Sequence, residues 1–266
     1  MIGVFDSGLG GLTALRELSR LLPDGDFIYL ADTAHLPYGK HSRGDICRFS
    51  ARALSFLGEQ GADAVLLACG TASSLAYDFC KRYFTFKIYE VIEPSVLAAV
   101  SSTKSHRIGV AATEATVKSG IFPRLFKKYD PACELTEISC PSLVSLIESG
   151  EDTDTVCYDA VRECLLPLLA RKIDTLILGC THFALLKPAI SAFLPSVTLI
   201  ESGKEGAFAL YEERTGTLPA AEPLRRGPRI RLYTTGDAEA LSRRASALLP
   251  FSKKGLKTEK INQDII

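Results

Sequence analysis

No surplus of either charge marks this chain: lysine and arginine together number 31, as do aspartate and glutamate, for a formal net charge of zero. A basic face for nucleic acid and an acidic solvating tail are thereby excluded as organising features, and a small molecule becomes the expected partner. No apolar run reaches the ~20 residues that a membrane-spanning helix needs. The opening MIGVFDSGLGG has neither a basic leader nor a long apolar segment and passes at once into a strand pattern. The expectation is a soluble, cytoplasmic protein with no membrane partner. Cysteine is too sparse for a disulfide scaffold: eight residues in 266, mostly inside helix-like or strand-like segments, which reads as eight reduced thiols. Zinc-finger spacing is missing as well, since Cys180 and His182 make only half a site, so no metal is expected. The GLGG at 8–11, with Asp32 after the second strand, approximates a dinucleotide fingerprint. Residue 13 is threonine where the third glycine belongs, so NAD is not expected either.

What the chain does have is alternation of short apolar runs with amphipathic stretches of helical length, the pattern of βα units in a mainly parallel sheet. Strands are expected at 2–5, 27–30, 64–68, 88–91, 108–111, 135–138, 175–178, 197–200 and 230–233. Leu12, Leu15, Leu18 and Leu22 share one helical face while Arg16, Glu17 and Arg20 take the other, as a helix covering a sheet requires. Ile46, Phe49, Ala53, Phe56 and Leu57 repeat the arrangement.

The sequence also echoes itself. IGVFDS at 2–7 returns as IGVAAT at 108–113, and LLACGT at 66–71 returns as LILGCT at 176–181, with offsets of about 106 and about 110 residues. The class is therefore α/β, with two similar doubly wound parallel-sheet lobes in a pseudo-twofold relation. The first lobe is expected to comprise 1–95 plus 206–266, the second 96–205, with helices at 92–107 and 201–207 carrying the crossovers. The polar segments 222–228 and 252–266 read as a surface loop and a frayed tail. Ligands of open α/β sheets sit at the carboxyl ends of the strands, so two facing lobes would bring Cys69 and Cys180 to one cleft.

Two facing thiols suit a particular chemistry. A thiol has a reference pKa of ~8.5, which a helix N-terminus lowers, and both cysteines are placed where a strand turns into a helix. A thiolate on one face of a carbon acid and a thiol on the other can remove a proton from one side and return one to the opposite side, inverting the stereocentre. Cys47, Cys80, Cys157 and Cys164 fall inside helix patterns and read as small core residues.

The motifs FDSGLGGLT (5–13), ADTAHLPYG (31–39), ACGTAS (68–73), CPSLVSLIESG (140–150) and LGCTHFALL (178–186) occur in one order, and with them the chain resembles the glutamate racemases of the cofactor-independent amino-acid racemase family over about 200 residues. That resemblance implies interconversion of L- and D-glutamate, the D-enantiomer serving peptidoglycan, without pyridoxal phosphate or metal. It also implies Cys69 and Cys180 as the catalytic thiols, Cys69 acting on the D-enantiomer and Cys180 on the L-enantiomer. Asp6, Glu148 and His182 would assist them. Asp6, Ser7, Pro37, Tyr38, Gly39, Gly70, Thr71, Thr181 and His182 would hold the substrate, with hydroxyl contacts from Thr113 and Thr116. A homodimer is a further implication.

Two departures stand out. The family writes Cys-Asn-Thr where this chain has Cys69-Gly70-Thr71, and, more mildly, ESG at 201–203 replaces its usual Asp-Ser-Gly. A missing amide that bonded a charged substrate group removes about 1.5–3 kcal/mol, on the order of 10- to 100-fold in affinity. A weakened or altered racemase is the expectation, with restoration by Gly70→Asn. The alternatives are another carbon acid, such as aspartate or a hydantoin, a decarboxylation in the same cleft, or a chain retained for binding or regulation alone.

Overall fold

The computed structural model describes residues 1–150, 154–217, 227–249 and 256–266. Ten strands lie in two sheets: β1 (Ile2–Asp6), β2 (Asp26–Ala31), β3 (Ala64–Leu67), β4 (Lys87–Tyr89), β5 (Arg107–Ala112), β6 (Glu134–Ser139), β7 (Thr175–Leu178), β8 (Thr198–Glu201), β9 (Arg229–Thr234) and β10 (Leu256–Lys260). The sheet orders are β10-β9-β2-β1-β3-β4 and β6-β5-β7-β8, and every pairing is parallel. Nine strands fall within a residue or two of their sequence positions.

The internal echo becomes a repeat of topology. The order β2-β1-β3-β4 in the larger sheet matches β6-β5-β7-β8 in the smaller, so IGVFDS and IGVAAT occupy equivalent central strands, as do LLACGT and LILGCT. Parallel central strands are buried on both faces and read as continuous apolar runs, which is why β1, β3 and β7 are buried at every residue.

The chain passes from the larger sheet to the smaller through the helix Ile92–Ser102 and back through the helix Ser202–Thr215. These two helices pack on each other and, with Leu12–Leu21, fill the space between the sheets. One apolar cluster consequently runs from Val4, Leu15 and Tyr29 through Val96 and Leu210 to Val110 and Ile177. The expected faces hold: Leu12, Leu15 and Leu18, like Ile46, Phe49, Ala53, Phe56 and Leu57, are buried.

Two expectations are corrected. The segment 252–266 is not a frayed tail, because 256–260 adds β10 to the edge of the larger sheet, and Ile261 and Ile266 are buried against its outer core. Its alternation Leu-Lys-Thr-Glu-Lys is that of an edge strand, where lysines deter pairing with other chains. Residues 252–255, and 222–226 of the expected loop, lie outside the described residues. Nor are all eight cysteines free thiols: Cys140 and Cys164 form a disulfide with Cα atoms 6.0 Å apart. The bond ties the start of the helix Pro141–Ser149 to the helix Asp154–Leu169, and closing a loop of this size contributes about 3 kcal/mol. Cys164 is thus a crosslink rather than a core filler. Thiol titration of the denatured, unreduced protein should give six reactive groups and eight after reduction. Eight before reduction would show the pair to be open.

Among the described residues no helix is long and apolar enough to cross a membrane.

Candidate active site

Four strand ends converge. β1 ends at Asp6, β3 leads into Cys69, β5 into Thr113 and β7 into Cys180, so the carboxyl ends of two adjacent interior strands in each sheet face one cavity. It is lined by Ser7, Tyr38, Cys69, Thr71, Thr113, Cys180 and neighbouring residues, the mix of apolar wall and a few convergent polar groups typical of small-molecule sites.

Cys69 caps the helix Gly70–Cys80. Its sulfur lies 3.3 Å from the Ser7 hydroxyl. Burial, with Asp6 adding to it, pushes this thiol up to about 12, so desolvation overrides the lowering expected from the helix end. Cys69 rests as a proton-bearing thiol. Cys180 precedes a short 3-10 turn, Thr181–Leu186, rather than an α-helix, and its sulfur lies 3.4 Å from His182 Nδ1.

The other ring nitrogen of His182, Nε2, is 2.5 Å from Glu148 Oε1, which also accepts the Leu9 N–H at 3.0 Å. Burial disfavours the imidazolium, yet Cys180 and Glu148 on its two sides raise His182 well above its ordinary value. Burial likewise opposes ionisation of Glu148, but the histidine holds it below the usual carboxylate range. Glu148, His182 and Cys180 therefore form a line of hydrogen-bonding groups that ends at a sulfur.

Asp6 occupies the corresponding place near Cys69. Wholly buried, it accepts N–H bonds from Gly8 (3.1 Å) and Gly11 (3.0 Å) and the Thr181 hydroxyl at 3.2 Å. The last of these bonds reaches across from the other sheet. Burial raises the Asp6 carboxyl, against the opposing pull of His182 and the two N–H groups.

Of the expected substrate residues, Ser7, Pro37, Tyr38, Gly39, Gly70, Thr71, Thr113, Thr181 and His182 line the cavity. Thr113 bridges Thr71 and Thr116, each hydroxyl 2.9 Å away. Thr116 is fully buried and stands behind Thr113 rather than on the cavity wall.

Two contributions lie outside the residues the sequence assigns to the site, since Asp32 reads there as serving loop structure. Asp32 accepts the Tyr38 hydroxyl at 2.6 Å and the Thr235 hydroxyl at 2.9 Å, fixing the tyrosine against the cavity. Val144 and Ser145 also line it, and the signal was present: Pro141, Val144, Ser145 and Glu148 recur at helical spacing on one face. Among the described residues no cluster of histidine, cysteine and carboxylate side chains is arranged to hold a metal ion.

The family profile described as Asp/Glu/hydantoin racemase matches residues 10–210. A glutamate racemase of Gloeobacter violaceus is 37% identical over 252 residues, covering 94% of this chain and 93% of its own. One of Aquifex aeolicus is 41% identical over 211 residues, covering 79% and 82%. Among solved structures, the glutamate racemase of Francisella tularensis in complex with D-glutamate superposes with a TM-score of 0.85 at 31% identity, covering 100% of this chain and 98% of that one.

Proposed function

The chain belongs to the Asp/Glu/hydantoin racemase family, and from that premise we propose that it is a glutamate racemase in which Cys69 and Cys180 move the α-proton. Its relatives of that name cover most of the chain. The observation that carries the mechanism is the arrival of both sulfurs, from equivalent strands of two sheets, on the wall of one cavity.

The resting arrangement is unequal. Cys69 holds a proton, whereas the Cys180 sulfur lies 3.4 Å from His182 Nδ1, and the base's part falls to it. L-glutamate entering between them meets a base at Cys180 and an acid at Cys69. The Cα–H electron pair stays on carbon as its proton goes to Cys180, and the S–H proton of Cys69 then goes to the opposite face, leaving D-glutamate and a Cys69 thiolate. The reverse reaction starts from that state. Hydroxyls of Ser7, Thr71, Thr113 and Thr181 and the N–H groups at the start of the helix Gly70–Cys80 suit the two substrate carboxylates without a cluster of cations. Both proton steps use the chain's own sulfurs, and the role is supply of D-glutamate for peptidoglycan in the cytoplasm.

Proton NMR of each enantiomer in D2O, read alongside optical rotation, tests this. The expected result is loss of the α-proton signal with inversion from either side. Absence of exchange with both glutamate enantiomers, but exchange with aspartate, would transfer the activity to another carbon acid.

A further inference from the structure

Gly70 directly follows Cys69 and Gly179 directly precedes Cys180. The two backbones meet across the cleft. A Cβ built on Gly70 would overlap the Gly179 carbonyl oxygen and lie 3.3 Å from its carbonyl carbon and 3.9 Å from the Cα of Cys180. The obstacle is main chain and is anchored: the Gly179 N–H donates to the Ala111 carbonyl at 2.8 Å, and the preceding carbonyl, of Leu178, accepts the Ser202 hydroxyl at 2.8 Å. A second point of the same kind lies on the other side of Cys180, where a Cβ on Gly10 would stand 2.6 Å from the His182 backbone nitrogen. Glycine from the larger sheet thus abuts main chain from the smaller on both flanks of Cys180.

We propose that Gly70 is a positioning residue that sets the separation of the two sulfurs: lacking a side chain, it lets the Cys69 turn bed on the Gly179–Cys180 turn. The proposal rests on the reading of the two cysteines as an acid–base pair. It reverses the sequence-based expectation for this position, in which glycine only deprives the substrate of an amide. In this closure an asparagine has no space for its Cβ, and Gly70→Asn lowers activity instead of restoring it. No exchange of side chain at 179 offers compensation, because the atom in the way is a backbone oxygen. Proton transfer needs the reacting atoms held in close, aligned approach, and a misplacement of about 1 Å costs about 100-fold.

The test is Gly70→Ala and Gly70→Asn, each assayed for inversion and for α-proton exchange in D2O. Expected is a fall in kcat of about 100-fold in both directions with KM little changed, and a rise in exchange relative to inversion. A sulfur parted from its partner trades its proton with solvent and returns deuterium to the same face. Wild-type inversion by Gly70→Ala overturns the proposal, and so does slow inversion at an unchanged exchange-to-inversion ratio. If the wild-type chain itself neither exchanges nor inverts glutamate, the functional reading fails before any variant is compared. Should the variants not fold, amide hydrogen exchange of the wild-type chain serves: 69–73 and 178–183 should gain protection together on adding glutamate. Protection of one segment alone overturns the proposal.

Discussion

Cys69→Ser and Cys180→Ser are each expected to lower kcat/KM for glutamate about a thousandfold, within the ~10²–10⁴ that a positioned acid or base contributes. A serine hydroxyl is too weak an acid to stand in for either sulfur. The loss must be equal in the two directions, because the enantiomers are mirror images and their equilibrium constant is unity. What separates the variants is isotope exchange. With Cys180 intact, the Cys69→Ser protein should still wash deuterium into L-glutamate without inverting it, and the Cys180→Ser protein should do so only with D-glutamate. Loss of exchange with both enantiomers in either variant would mean that the sulfurs do not act from opposite faces.

Glu148→Gln should move the alkaline limb of the kcat/KM profile to lower pH by roughly 1–3 units, the usual effect of an opposite charge within a few ångströms. The shift is downward because the Glu148 carboxylate favours the charged ring, against the burial that disfavours it. Its ring is charged below its folded pKa and neutral above it, and Glu148 is one of the groups that raise that pKa. Removing the carboxylate brings the loss of charge to a lower pH. The glutamine oxygen can still accept the Leu9 N–H, so the loop beside it keeps its anchor. An alkaline limb that stays in place while activity falls would show that Glu148 does not act through the histidine. The raised histidine also bears on stability: its contribution is complete below the unfolded value of ~6.5 and is lost as pH rises through the folded value.

Fold and candidate site differ in how they were legible. Apolar runs and the echo of Cys69 and Cys180 are local patterns, and each encodes a strand and the turn after it, so sheet class and the paired sulfurs could be read directly. The disulfide could not. Cys140 and Cys164 are 24 residues apart, and whether two helix-borne thiols meet depends on how the helices pack. Gly70 shows the same limit: sequence reveals the amide that is missing but not the Gly179 carbonyl that lies against the position. The depth of Cys69 was hidden too, so a general expectation about helix ends gave the wrong direction for its acidity. β10 was missed because its charged residues resemble a tail.

The strand order of the larger sheet has a consequence during synthesis. All four strands of the smaller sheet have been made once Glu201 is reached, whereas β9, which covers the free edge of β2, and β10, which adds beyond it, come last. About thirty-three further residues separate Glu201 from the end of β9 at Thr234, and at ~5–20 residues per second they take about 2–7 s to add. For that interval β2 presents unpaired backbone N–H and carbonyl groups to other nascent chains. Slow translation across 202–234 therefore prolongs the period in which the chain can be lost to aggregation, although no residue of the cavity lies in that stretch.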